Sequence, residues 1–410
     1  MSDASSPSTR SPLRVLIVAD TYPPDVNGAA VFGHRLAKHM TARGHEVHVA
    51  AARPGPGPDM VERRPEATIH RFRSFKAPTH EYFRLCLPWT VEPGMERLVD
   101  ELQPDVIHVQ CHYMIGKAAI LAAQRRRIRL IATNHFMPEN LDPFLPFPQW
   151  FKNVVSRNSW KDMSRLMGLA SVVTTPTPLA AQTMREKAGF ENVLPLSNGI
   201  DVDYYALRPG EDRPARDHPT VLFVGRLAVE KNVDILIDAL SRTDPRLGIR
   251  LEIVGDGEQR DHLRAQVEEL GLSDRVEMRG HVSEGELREA YLAADVFCQP
   301  GTAELQSLVS LEAMSAGKPV VLADALALPH LVSDDQNGML FAPHDADDLA
   351  RKLDAVFSLP EAQRRAMGEA SRDKANQHAI GRTMTAYEGL YCGADWWETG
   401  QFFEEPPRRR

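Results

Sequence analysis

The stretch VLFVGRLAVEKN, residues 221–232, decides the fold. Val221–Val224 is a continuous apolar run of the kind that a strand buried on both faces needs. Gly225 releases that strand, and a helix signal follows Asn232. Strand, glycine turn and helix open a parallel α/β unit. This opening lies beyond the midpoint of a 410-residue chain, so the unit it starts is a second one.

The first opening is Leu13–Ala19 (LRVLIVA), and comparable runs recur at Val47–Ala52, Val106–Val109, Ile128–Ala132 and Ser171–Thr174. Helical patterns such as Ala29–Thr41 and Gly116–Arg125 separate them. After the restart come Leu251–Val254, Val276–Met278, Val296–Gln299 and Val320–Leu322. Between the two series, Asp201–Pro219 (DVDYYALRPGEDRPARDHP) is rich in Pro, Asp and Arg without periodicity and predicts an interdomain linker. The expectation is α/β, with two doubly wound parallel sheets. It comprises a disordered arm over 1–12, a first domain over 13–204, a second over 205–378, and a helix and tail over 379–410 that return to the first domain. The length agrees, at about 150 residues per domain.

Composition narrows the function. With 43% hydrophobic and 25% charged residues the chain is a folded globular one. No run approaches the roughly 20 apolar residues of a spanning helix, and MSDASSPSTRSP lacks a signal-peptide core, so a cytoplasmic protein is expected. Cys86, Cys111, Cys298 and Cys392 are too scattered for a zinc or disulfide framework. The net charge of −8 argues against a general nucleic-acid binder. It divides unevenly: 24 Lys+Arg against 18 Asp+Glu in residues 1–200, a net of +6, and 24 against 38 thereafter, a net of −14.

Open parallel sheets bind ligands outside the carboxyl ends of their strands. After Ala19 comes Asp20-Thr-Tyr-Pro-Pro-Asp-Val-Asn-Gly28, in which Gly28 opens a helix whose backbone N–H groups can face an anion. An ordinary strand-to-helix turn reads the same way, and no GxGxxG follows to indicate a dinucleotide site. Arg226 and Lys231, five residues apart before a helix, suit a diphosphate as well as they suit solvent. The most informative stretch is QPGTAELQSLVSLEAMSAG, residues 299–317. Its Glu304 and Glu312 lie eight residues apart, a little over two helical turns, and can hold two ends of one ligand, or stand as a pair of solvated glutamates.

Taken together, the Pro-Pro…Gly28 turn, Gly225-Arg226-x4-Lys231 and Glu304-x7-Glu312, in this order over residues 13–390, resemble the retaining glycosyltransferases of family 4 with the GT-B architecture. Ile253-Val254-Gly255-Asp256-Gly257 and Ser197-Asn198-Gly199-Ile200-Asp201 stand where that family has its glycine turn and its interdomain Asn-Gly segment. The resemblance implies two Rossmann-like domains facing a central cleft and a nucleotide-sugar donor held by the second. Glu312 would hold the ribose, Arg226 and Lys231 the diphosphate, and Glu304 the transferred sugar. Gly225, Ser307 and Leu308 would line the donor site, with Gly255 and the region of Met278–His281 beside the base. In the first domain Gly28 would approach the phosphate, and His135 of Thr133-Asn134-His135-Phe136 would orient the sugar. No metal and no cofactor is implied, because the nucleotide-sugar is a substrate and the cations handle the leaving diphosphate.

Two positions depart from the family pattern. Ala29 replaces the second glycine of a pair, and Glu304-Leu305-Gln306-Ser307 replaces Glu-Gly-Phe-Gly, a variant similar to branches acting on lipid and polyol acceptors. The expected reaction is hexosyl transfer to a small polyol or sugar, with a lipid acceptor at the inner membrane surface as the alternative. A nucleotide-sugar epimerase of the same fold and an idle sugar-nucleotide-binding regulator are the further alternatives. The lipid alternative draws on Pro148–Met167, where apolar residues recur at three and four among Lys152, Arg157, Lys161 and Arg165. Such a helix equally packs its apolar stripe inward and leaves its cations in water.

Overall fold

A computed structural model of the chain describes residues 11–25, 27–76, 84–138, 148–333 and 335–395. The expected disordered arm up to residue 10 and the tail beyond 395 lie outside the described residues. The chain forms two compact units. Of the described residues, 11–175, 181–195 and 384–395 make unit 1, and 176–180 with 196–383 make unit 2.

Unit 1 is built on β1 (Arg14–Ala19), β2 (Glu46–Ala52), β3 (Met60–Arg64), β4 (Ala67–Phe72), a two-stranded ribbon β5 (Phe75–Lys76) and β6 (Arg84–Leu85), then β7 (Val106–Val109), β8 (Arg129–Thr133), β9 (Val172–Thr175) and β10 (Val193–Pro195). The eight-stranded sheet runs β10-β9-β8-β7-β1-β2-β4-β3, parallel except for β3 on β4. Val15–Val18 of β1 are completely buried, which explains why this run is apolar throughout instead of alternating. β3 and β4 escape the sequence reading because MVERR and ATIHRF are not apolar runs; β3 is an edge strand with charged residues. β10 is missed because it has only three residues.

Unit 2 contains β11 (Thr220–Val224), β12 (Arg250–Val254), β13 (Val276–Gly280), β14 (Val296–Gln299), β15 (Val320–Ala323) and β16 (Gly338–Phe341). Its order is β13-β12-β11-β14-β15-β16, and every pairing is parallel. This is the doubly wound arrangement, with order reversing between β11 and β14.

Residues 196–204, expected in the first domain, group with unit 2, because the Ser197–Ile200 turn is held by unit 2 side chains. Gln306 Nε2 donates to Ser197 Oγ (2.7 Å) and Gln306 Oε1 accepts from Asn198 N (2.9 Å). His378 Nδ1 lies 3.0 Å from Ser197 Oγ, and Ile200 N donates to His378 O (2.9 Å). The aperiodic segment after it is not a free linker. Arg288 donates to Tyr204 O (2.6 Å), Ala206 O (2.9 Å) and both carboxylate oxygens of Glu211 (2.6 Å each), fastening the segment to unit 2.

The expected C-terminal helix spans Ile380–Tyr391. In unit 1 its Tyr391 OH lies 2.6 Å from His108 Nδ1, and His108 Nε2 lies 2.6 Å from Thr133 Oγ1. Tyr387 OH bonds Thr174 Oγ1 (3.0 Å) and Thr133 Oγ1 (3.2 Å), so a buried run of hydroxyls joins this helix to β7, β8 and β9.

Burial lowers His108 and His378 to about 3 and His112, His135 and His330 to about 4. These groups stay neutral in the fold at pH values where the unfolded chain, titrating near 6.5, already binds protons. Folded-state values below the unfolded one mean full stability above about pH 6.5 and progressive loss as pH falls toward 4. Urea unfolding at pH 7 and pH 5 is expected to show at least about 2 kcal/mol less stability at pH 5, the loss from roughly one such histidine; equal midpoints would contradict the buried neutral state.

Candidate functional site

The reversal between β11 and β14 is where an open α/β sheet leaves a crevice, because the two following connections diverge to opposite faces. Both connections carry residues singled out in the sequence. Gly225–Lys231 follows β11, and Pro300–Ser307 follows β14 and leads into the helix Leu308–Ser315. Lys231 Nζ donates to Glu304 Oε1 across the crevice, in an ion pair whose side chains are 22% and 13% exposed.

The loop backbones are tied as well. Asn232 adopts a left-handed conformation (φ 49°), and its side-chain amide donates to Pro300 O (3.2 Å) and Thr302 Oγ1 (3.3 Å). Thr302 N donates to Glu230 O (3.2 Å). Arg226 pairs with Glu230 Oε1 (2.5 Å) and lies 3.6 Å from Glu258 Oε2. Arg226 and Lys231 are therefore both paired with carboxylates beyond the carboxyl end of the sheet, Arg226 the more exposed of the two.

Gly225 and Gly255 end adjacent strands. Gly225 N donates to Val254 O (3.0 Å), and Gly255 N donates to Gly280 O (2.9 Å). A Cβ on Gly255 would stand 1.9 Å from Gly225 O, and its φ is +137°. The turns after β11 and β12 thus pack backbone to backbone, which only glycine permits.

Glu312 is 6% exposed and lies inside the helix Leu308–Ser315, with Tyr291 OH donating to its Oε2 (3.0 Å). Burial and the Glu312 carboxylate raise the Tyr291 hydroxyl well above its ordinary range, so it remains a donor. The helix starts at Leu308, four residues beyond Glu304, so Glu304 belongs to the loop. Ser307 is buried beside the first turn and accepts from Ser310 Oγ (2.8 Å), while Leu308 is partly buried. Gln306 is committed to the Ser197–Asn198 turn. Tyr291 and Asn232 carried no sequence signal; Glu230 did, standing four residues from Arg226, and so did Gln306, within the variant Glu304–Ser307 motif.

Unit 1 supplies its own set. Gly28 is the first residue of the helix Gly28–Ala42, Asn27 Oδ1 caps Ala30 N (2.9 Å), and nothing lies within 4 Å of where a Gly28 Cβ would be. The preceding turn is fixed from beneath. Fully buried Arg71 donates to Pro23 O (2.5 Å) and Ala52 O (3.1 Å), and its guanidinium lies over the Tyr22 ring at 5.6 Å. This sheet reverses between β7 and β1, where Cys111 Sγ donates to Asp20 Oδ2 (2.7 Å). His135 follows β8; its ring lies 4.8 Å from Phe32, and its buried Nε2 has no hydrogen-bond partner among the described residues. Burial holds it neutral, at about 4.

All four cysteines are free. Among the described residues, no three His, Cys, Asp or Glu side chains gather to hold a metal ion, and no helix is long and apolar enough to cross a membrane.

Comparison with known proteins finds two family models in succession, the first extending to residue 204, past the unit 1 boundary at 195. Residues 26–204 match the family "Glycosyltransferase Family 4", and residues 210–374 match "Glycosyl transferases group 1". A GDP-mannose-dependent alpha-mannosyltransferase of Mycobacterium tuberculosis is 28% identical over 359 residues, covering 86% of this chain and 89% of that protein. The sulfoquinovosyl transferase SQD2 of Arabidopsis thaliana is 25% identical over 405 residues, 95% of this chain and 75% of that protein. Among solved structures, a sucrose-phosphate synthase from Thermosynechococcus elongatus superposes with a TM-score of 0.73 at 19% identity, over 93% of this chain and 98% of its own.

The Gly255 packing yields a stability prediction. Gly255→Ala is expected to destabilise the fold by at least about 2 kcal/mol, combining overpacking with a strained φ. Thermal unfolding followed by circular dichroism measures it; an unchanged midpoint would show that the two turns are not held in contact.

Proposed function

Since this chain belongs to the family 4 and group 1 glycosyltransferases of the GT-B fold, we propose that it moves a hexose from a nucleotide-sugar to an acceptor hydroxyl with retention of anomeric configuration and without a metal ion. The observation that carries this reading is the Lys231–Glu304 pair across the β11/β14 crevice, with Arg226 on the same loop and buried Glu312 beyond it.

In the reaction the bond between the anomeric carbon and the phosphate oxygen breaks, and positive charge grows on the sugar while negative charge grows on the departing diphosphate. Lys231 and Arg226 stabilise that diphosphate, together with the N-terminal N–H groups of the helix Leu308–Ser315. The acceptor oxygen bonds to the same face of the sugar, and its proton passes to the leaving phosphate oxygen. Glu304 receives hydrogen bonds from the transferred sugar, and Glu312, with one oxygen held by Tyr291, receives them from the ribose. From unit 1 we assign Gly28 to the phosphate and neutral His135 to the sugar. The mannosyltransferase named above makes GDP-mannose the first donor to test. The Glu304–Ser307 variant, similar to branches acting on lipid and polyol acceptors, makes a small polyol or sugar the first acceptor to test and a lipid the second.

A panel of GDP-, UDP- and ADP-sugars with polyol and sugar acceptors tests the reading. Acceptor-stimulated release of free nucleotide, unchanged by a chelator, is the expected result. An altered sugar on intact nucleotide would establish an epimerase instead, and strict metal dependence would remove the cation assignment.

Lys231→Ala and Arg226→Ala are each expected to lower turnover at least about tenfold with the fold retained, since one aimed donor to developing charge contributes roughly 3 kcal/mol. Glu312→Ala is expected to raise the donor KM, because ribose contacts are equal in ground and transition states, whereas Glu304→Ala strikes kcat. Steady-state kinetics in which Glu304→Ala changes only KM and Glu312→Ala only kcat would reverse the two roles.

A further inference from the structure

The helix Gln149–Met167 divides into two faces within unit 1. Trp160, Met163, Leu166 and Met167 are buried. Trp150, Asn153, Arg157, Lys161 and Arg165, spaced at three, four, four and four, form an exposed stripe, and the Trp150 indole is 68% exposed. Beside the stripe lies a shallow groove of about 710 Å³ lined by Arg157, Lys161, Arg165 and Lys187, with Trp160 in its wall. Lys187 Nζ lies 5.6 Å from the centre of the Trp160 ring. The other lining residues are Asn, Ser and Ala, so no carboxylate lines the groove among the described residues. Asp162 pairs with Arg165 (3.0 Å) from outside that lining.

Four cations border one concavity whose lining has no carboxylate among the described residues, and a bound anion there is attracted to all of them. Arginine forks match phosphate oxygens in pairs, and lysines add mobile point charges, so the fitting ligand bears a phosphate. The exposed indole distinguishes between sources of that phosphate. Trp150 stands seven residues, about 10 Å, before Arg157 on the same stripe, and Leu169 beyond the helix is 41% exposed. Apolar groups presented at both ends of a cationic stripe gain nothing from a small soluble phosphate but insert at a bilayer interface. We propose that this groove and stripe form an attachment site for the phosphate headgroups of an anionic phospholipid surface. Such attachment is compatible with a soluble acceptor as well as with a lipid one.

The experiment is sedimentation of the full chain with vesicles of phosphatidylcholine alone or mixed with phosphatidylglycerol, at low and high salt. Binding to the mixed vesicles at low salt, lost at high salt and absent on neutral vesicles, is expected. The triple variant Arg157→Glu, Lys161→Glu, Lys187→Glu should bind at least about tenfold more weakly, given about 1 kcal/mol per basic residue near the surface. Trp150→Ser should weaken binding without altering its salt dependence. An equal charge reversal in unit 2, Arg246→Glu, Arg264→Glu, Arg365→Glu, should leave binding unchanged; if both triples lose it equally, general charge and not the groove is responsible. Circular dichroism and transfer to a soluble acceptor should be unchanged in the unit 1 triple variant, which verifies its fold. No sedimentation at low salt overturns the proposal, and so does calorimetric binding of glycerol phosphate without vesicle binding, which would assign the groove to a soluble phosphate.

Discussion

The Lys231–Glu304 pair sits where the strand order of unit 2 reverses, and much of the local structure exists to hold it there. The two residues are 73 positions apart in the chain, yet each is only a few residues past the carboxyl end of its strand. β11 and β14 are neighbours whose connections leave on opposite faces, so a crevice opens between them. Left-handed Asn232 turns the first loop back so that its amide can reach Pro300 O and Thr302 Oγ1 of the second. The glycine contact between the turns after β11 and β12 keeps the neighbouring backbone close to the sheet edge. A cation and a carboxylate at this point are partly withdrawn from water, which strengthens their action on a ligand compared with the same groups on an open surface.

Unit 1 repeats this logic with different chemistry. Its sheet reverses between β7 and β1, and a hydrogen bond from Cys111 to Asp20 bridges the two strand ends. The helix that follows β1 begins at Gly28 with its first turn capped by Asn27, and the turn before it is held by Arg71. A fully buried arginine is unusual. Here carbonyls of Pro23 and Ala52, the Glu62 carboxylate and the Tyr22 ring surround the guanidinium. The turn is thereby fixed by a residue some fifty positions away, which the local sequence of the turn does not reveal.

The legible part of the fold was the part whose burial is complete on both faces. Val15–Val18 and Val221–Phe223 are apolar because no position along them meets water, and such runs identify themselves. β3 and β4 are hidden because edge and alternating strands share their composition with loops. Asp201–Pro219 misleads for a related reason: aperiodic, charged sequence suggests a linker, but the positive partner that fastens it, Arg288, lies nearly eighty residues later. In the candidate site, Arg226, Lys231, Glu304 and Glu312 stood out by residue type and spacing. Their partners were less visible. Tyr291 reaches Glu312 only through helix packing, and Gln306, within the variant motif after Glu304, is turned toward Ser197 and Asn198.

The most direct test of this account is a crystal structure of the protein with the nucleoside diphosphate of its donor. Lys231 Nζ is predicted to lie within hydrogen-bond distance of a β-phosphate oxygen, with Arg226 on the same diphosphate and Glu312 on the ribose hydroxyls. A nucleotide bound away from the β11/β14 crevice, with Lys231 still paired to Glu304 alone, would contradict the central claim that this pair marks the donor site.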